Sequence, residues 1–277
     1  MTRDVKIAAP GFILMDEMRR DMPGTLKKVA ALGYGGIELL GFFGHDAGKI
    51  AAWCKEAGLL PFSAFVRLKE LTGEETEADV QALNDFDKAL VMQGTTPLEK
   101  LQYVRAIGCQ YIGLLLPDDT MDDDVMAKIN RVVALAQETG LTVHYHNHAQ
   151  EYLNRWQDGF RMDYIMARAH PLMRFEPDLG WMEIGGCRCE GQIEKYAHRM
   201  EIVHLKDYWR DSFDTTKEHL FRPVGYGVMD WARILPLCEK LVQPKWYTLD
   251  HDKAYDGDIY GELKMQLDYV KNMLKFC

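Results

Sequence analysis

The sequence lacks any apolar run approaching the ~18 residues that span a bilayer, so no membrane partner is expected. Its start, MTRDVKIAAPGFILMDEM, has too short an apolar stretch for a secretory signal, and Asp16 and Glu17 close it off. The six cysteines (Cys54, Cys109, Cys187, Cys189, Cys238 and Cys277) form no Cys-x-x-Cys pair. Neither a zinc set nor a disulfide framework is expected, which predicts reduced thiols and a cytoplasmic location. Basic residues number 33 against 42 acidic ones, a formal charge of −9. That deficit argues against nucleic acid or an anionic membrane surface as the main partner, since either needs a basic face. No GxGxxG turn follows the first strand, where the chain reads Pro10-Gly11-Phe12. An open dinucleotide-binding sheet is correspondingly disfavoured.

What is present is a globular composition, 47% apolar and 27% charged over 277 residues, enough to bury a core without staples. The chain repeats apolar strand, turn and amphipathic helix. Strands are predicted at 5–9, 36–40, 59–66, 111–116, 141–147, 172–175, 202–205 and 246–249. Helices lie between them, and Gly33, Gly58, Gly108 and Gly140 each follow a helix end. Eight such units predict an α/β fold, a single (β/α)8 TIM barrel over residues 1–277. The polar, acidic stretch 69–95 exceeds a minimal unit and is read as a helical insertion or lid after strand three.

Barrel active sites sit at the C-terminal strand ends, and here those ends carry the chemistry. Strand five ends in His144-Tyr145-His146-Asn147-His148 with Glu151 beyond, strand six in Glu176-Pro177-Asp178, strand seven in His204-Leu205-Lys206-Asp207 and strand eight in Asp250-His251-Asp252; strand two contributes Glu38. Strand alternation puts His144, His146 and His148 on one face, His204 with Lys206 on another, and Asp250 with Asp252 on a third. Charges aimed into a barrel mouth are costly unless paired or metal-bound, and mixed carboxylate–imidazole donors suit Mn²⁺, Co²⁺, Mg²⁺ or Zn²⁺. Plainer readings apply elsewhere. Trp53, Trp156 and Trp246 are read as packing, and Trp181 and Trp209 as platforms beside the rim. Glu176 is read as a structural ion-pair partner, Asp207 and Asp252 as helix caps. Asp118, Asp119, Asp122, Asp123 and Asp124 read as a solvated helix start, while Arg210 and Arg222 are either anion contacts or surface residues.

These motifs resemble a known family. Tyr145-His146-Asn147-His148-Ala149-Gln150-Glu151-Tyr152 is similar to the HNHxxEF signature of the xylose isomerase-like sugar phosphate isomerase/epimerase superfamily. Gly33 to Leu39, Asp178 to Trp181, His204 to Asp207 and Gly225 to Trp231 resemble its other motifs in order. The resemblance implies a barrel with one divalent metal, Mn²⁺ foremost, held by Glu151, Asp178, His204 and Asp250, the last standing where relatives usually have Glu. Register on strand five leaves His144 or His146 as the alternative to Glu151.

The chemistry implied is proton abstraction next to a carbonyl through a metal-stabilised enediolate. His146 and Glu151 are the candidate bases and Lys206 the neutralising group, while His144, His148, Glu38, Trp181 and Arg222 contact substrate. The expected activity is isomerisation or epimerisation of a sugar or keto-sugar. The alternative is β-elimination from a 3-keto sugar or keto-cyclitol, as in C-glycoside deglycosidase catalytic subunits or inosose dehydratases. Expected partners are the small-molecule substrate and a second copy of the chain, or a small β-rich subunit in the deglycosidase case. Two other classes compete: a DNA-repair barrel, which needs a basic groove, and a non-catalytic sugar-binding barrel.

Overall fold

A computed structural model describes residues 6–116, 121–209 and 220–277. Val5, Asp118, Asp119 and Arg210 lie outside the described residues. Eight strands carry the fold: β1 Lys6–Pro10, β2 Gly36–Leu39, β3 Leu60–Arg67, β4 Tyr111–Leu115, β5 Thr142–His146, β6 Arg174–Glu176, β7 Ile202–Tyr208 and β8 Trp246–Asp250. They pair in parallel in the order β7-β8-β1-β2-β3-β4-β5-β6. Parallel bridges Phe175↔Met200 and Asp178↔His204 bring the β6 side back to the β7 side. The sheet therefore curls into the expected barrel. A short strand, Phe221–Arg222, adds antiparallel to β7. Among the described residues no helix is long and apolar enough to cross a membrane.

The helices run in chain order from α1 Met15–Leu32 and α2 Ala47–Ala57 through α3 Leu68–Thr72, α4 Glu77–Gln81, α5 Asp85–Leu90, α6 Pro97–Ile107 and α7 Asp123–Thr139. The second half adds α8 Gln150–Leu153, α9 Arg161–Arg168, α10 Leu179–Ile184, α11 Cys189–Tyr196, α12 Trp231–Leu241 and α13 Ile259–Met273. Each strand buries two different faces. Outward residues such as Ile37, Leu39, Val66, Ile112, Val143, Phe175, Val203, Leu205 and Leu249 join one apolar core with the helices. That is expected of parallel strands covered by crossover helices. Helix ends follow the sequence signals. Gly108 and Gly140 end α6 and α7 at φ +112° and +74°, a region where a Cβ is costly. Thr96 and Glu99 form a capping box at the start of α6, with Pro97 in its first turn.

Periodicity alone supports only the second half of α1. Asp21 leaves helical geometry (φ −156°, ψ 81°) ahead of Pro23, and its Oδ1 accepts from Gly24 N at 3.0 Å, restarting the helix. The stretch after β3 is helical as expected, forming α3, α4 and α5. An ionic knot roots it. Arg67 pairs with Glu75 at 2.7 Å and Glu70 at 3.3 Å, Lys100 pairs with Glu70 at 3.1 Å, and Met92 N donates to Glu70.

Candidate active site

The inner strand faces deliver the charged residues to the C-terminal mouth. His204 is the hub: Nε2 lies 2.6 Å from Glu38 Oε2 and 3.4 Å from Glu176 Oε1, and Nδ1 lies 3.5 Å from Asp250 Oδ2. His146 lies 3.8 Å from Glu176 and 3.9 Å from Asp178, its side chain 7% exposed. Lys206 Nζ reaches Asp252 at 2.7 Å, Asp250 at 3.1 Å and Asp178 at 3.3 Å. Glu38, Glu176, Asp178, His204, Lys206 and Asp250 are all buried. Glu38 follows a register shift between β2 and β3, the kind of irregularity that re-aims a side chain.

Local backbone chemistry fixes these groups. Asp178 is the N-cap of α10, a helix the periodicity does not announce. Its Oδ1 accepts from Trp181 N at 2.9 Å, which turns Oδ2 toward the cluster. Asn147 clamps the same residue, Oδ1 accepting from Asp178 N and Nδ2 donating to Asp178 O. Asp207 is buried and holds the loop before α12. It accepts from Gly225 N, Met229 N and Trp231 Nε1. The Gly225-to-Trp231 motif is thus a loop tied to β7 by N–H groups.

Burial and charge set the protonation states. Burial, then Glu38, pushes the Glu176 carboxyl up to about 8. Burial, then His204 and His148, holds His146 well below the usual imidazole value, so it is neutral. Burial opposes charge on His204, Lys206 and Asp250 alike, and in each the neighbours win. Glu38 and Glu176 raise His204, Asp178 and Asp250 raise Lys206, and Lys206 and His204 lower Asp250. Asp178 is raised, chiefly by burial.

The predicted residues divide into two groups. A cavity of about 260 Å³ is lined by Glu38, His146, His148, His204, Lys206 and Asp250, with Asp252 beside them. Glu151 stands apart from this cluster: it accepts from Tyr145 Oη and His148 N, both at 2.8 Å, and lines an adjacent cavity with Arg161. His144 lies beneath, edge-on to Tyr111 at 4.9 Å; burial first pushes its pKa down to about 3. Trp181 backs Lys206 at 5.2 Å. Arg222 stacks 3.8 Å over Tyr255 in a separate cavity with Trp209 and Tyr226. Sequence reasoning passed over Glu176 as a site residue, although alternation puts it on one face with Asp178. It also passed over Asn147 and over Phe65, whose ring meets His146 and His204 edge-on.

The donor set fits a divalent cation. His146, Asp178 and His204 offer donor atoms within 4.8 Å of one another, as do Glu38, Glu176 and His204. Despite the ionic proximity, Glu38 Oε1, His146 Nδ1, both Glu176 oxygens, Asp178 Oδ2, His204 Nδ1 and Asp250 Oδ1 are buried without a hydrogen-bond partner. So many orphaned buried donors in one place are rare in folded proteins, and a cation would satisfy those of one three-residue group.

Comparison with known proteins agrees with this architecture. A family model described as xylose isomerase-like TIM barrel matches residues 26–254. The inosose dehydratase of Geobacillus kaustophilus is 22% identical over 278 residues, spanning 90% of this chain and 86% of that protein. A sugar phosphate isomerase/epimerase structure from Parabacteroides distasonis superposes with a TM-score of 0.74 at 20% identity, covering 96% of this chain and 98% of that one. The probable 3-DHS dehydratase of Bacillus anthracis gives 0.69 at 13% identity, covering 97% and 99%. The chain therefore belongs to the xylose isomerase-like TIM barrel family.

Proposed function

We propose that the protein is a divalent-metal-dependent isomerase or epimerase that removes a proton next to the carbonyl of a sugar or keto-sugar. The observation that carries this reading is the set of buried, unpartnered carboxylates and imidazoles at the barrel mouth. His146, Asp178 and His204 would hold the cation, and Mn²⁺ suits their mixed nitrogen and oxygen donors. When bound, the cation supplies Lewis acidity to a carbonyl and its neighbouring hydroxyl. Glu151 serves as a positioning residue that ties the end of β5 through Tyr145 and the His148 backbone.

Asp250 is the proton acceptor in this reading: it lines the cavity and its buried Oδ1 has no hydrogen-bond partner. Lys206 keeps its proton against burial because three carboxylates surround it, and it can offer that proton to a substrate oxygen. Returning the abstracted proton to the opposite face gives epimerisation, and to the neighbouring carbon isomerisation. If Lys206 instead protonates a departing β-hydroxyl, the C–O pair leaves as water. That second reading, a lyase, rests on the charged Lys206 and on the two dehydratases among the similar proteins. Incubation of candidate ketoses in D₂O tests the step common to both. Deuterium should enter the carbon next to the carbonyl, and Asp250→Asn should slow entry about a hundredfold or more. No exchange with any ketose by the Mn²⁺-loaded protein would sink the reading.

A further inference from the structure

Another cavity lies at the opposite end of the barrel from the charged mouth. It measures about 370 Å³, against about 260 Å³ for the cavity at the mouth. Its wall is made where strands begin. Tyr111 opens β4, Thr142 opens β5 and Arg174 opens β6, while Glu201 and Lys245 immediately precede β7 and β8. Arg105 joins them from the last turn of α6. None of these residues takes part in the chemistry proposed for the mouth.

The charge of this cavity is opposite to that of the molecule. Arg105, Arg174 and Lys245 line it with a single carboxylate, Glu201, on a chain whose formal charge is −9. Glu201 is already shared: Oε1 lies 3.3 Å from Arg174 Nε, and Oε2 lies 2.8 Å from Lys245 Nζ. Arg105 has no carboxylate partner among the described residues, and its Nη1 donates to Cys109 O at 2.9 Å. An ordinary surface ion pair matches one cation to one acid. Here the lining carries two positive charges in excess, and like charges gathered in a concave site attract an anion that relieves their repulsion.

The charged ends are held by built structure. Lys245 N donates to Glu201 O at 2.7 Å, so main chain and side chain both tie these two residues together. Arg174 stands opposite His144 in the β5–β6 register. Glu201 engages its Nε, and its two terminal nitrogens have no acceptor among the described residues. Tyr111 is buried with Phe62 and Trp246 and presents a hydroxyl-bearing ring to the cavity, where Gln110 and Thr142 add neutral hydrogen-bonding groups. Two guanidinium groups beside an ammonium suit an anion with several oxygens, because each guanidinium can meet two of them at once.

We infer that this cavity is a binding site for a small divalent oxyanion, a phosphate monoester or a dicarboxylate, held between Arg105, Arg174 and Lys245. Two negative charges would balance the excess of the lining, and both ligand classes carry them on oxygens that a guanidinium can pair.

Titration calorimetry of the purified full chain with inorganic phosphate and with malonate, at constant ionic strength, tests this. At least one of the two dianions should bind about tenfold more tightly than acetate or better. Preference for phosphate identifies a phosphoryl ligand, preference for malonate a dicarboxylate, and equal binding a site selective for charge alone. Arg105→Gln and Arg174→Gln should each weaken the binding about tenfold. Circular dichroism checks that the variants are folded, and Arg105, being exposed, can be replaced without opening the core even where the Arg174 variant fails to fold. Dianions that bind no better than acetate, or an affinity unchanged in either folded variant, would overturn the inference; the second result would place the anion elsewhere on the molecule.

Discussion

The two ends of the barrel interior differ although the same strands build both. At the N-terminal end Ala8, Phe62, Tyr111, Ile202 and Trp246 pack as a small apolar cluster, with Phe62 and Trp246 stacked at 4.3 Å and 18°. Two or four residues further along, the same inward faces present His204, Lys206 and Asp250. The lower layer is satisfied by packing. The upper one is buried yet leaves donors and acceptors unpartnered, which costs stability. The fold therefore concentrates stabilisation at one end and a charged site at the other, a division typical of barrels.

Substitutions can break that contrast. Trp246→Ala should cost about 3–5 kcal/mol in denaturant unfolding, with Mn²⁺ binding retained under native conditions; a loss of metal affinity at constant fold would blur the division. Chelation should act only through the upper layer. Removing Mn²⁺ present at a hundred times its Kd should lower stability by about 2.7 kcal/mol, and an unchanged melting temperature would argue that no cation satisfies these donors. Smallest of all, Glu176→Gln should shift the stability of the metal-free protein by less than about 1 kcal/mol. Burial and Glu38 raise its carboxyl toward the neutral form, which the amide mimics. A large loss would mean that Glu176 is a paired structural carboxylate.

Much of this was legible from the residues alone. Strand periodicity and helix-ending glycines carry the eight-unit barrel, and the helical insertion is visible as a polar excess between strands three and four. Alternation also puts His146, Asp178, His204 and Asp250 toward one mouth. What alternation does not reveal is where a strand stops. β5 ends at His146, so the chain turns before Glu151, whose carboxylate caps the His148 backbone. Trp181, Arg222 and His144 sit near the strand ends, where Trp181 lies behind Lys206, Arg222 over Tyr255 and His144 against Tyr111. The Gly225-to-Trp231 motif makes physical sense only with Asp207 in view, because its amides are donors to a carboxylate on a distant strand.

The central claim is that the unpartnered donors at the mouth form one cation site. Metal content after Mn²⁺ loading and dialysis, measured for the wild type, His204→Ala and Asp178→Asn, addresses it directly. The account predicts about one Mn²⁺ per chain in the wild type and almost none in either variant, with circular dichroism unchanged. A wild-type protein that retains no divalent cation, or variants that retain it in full, would contradict the account.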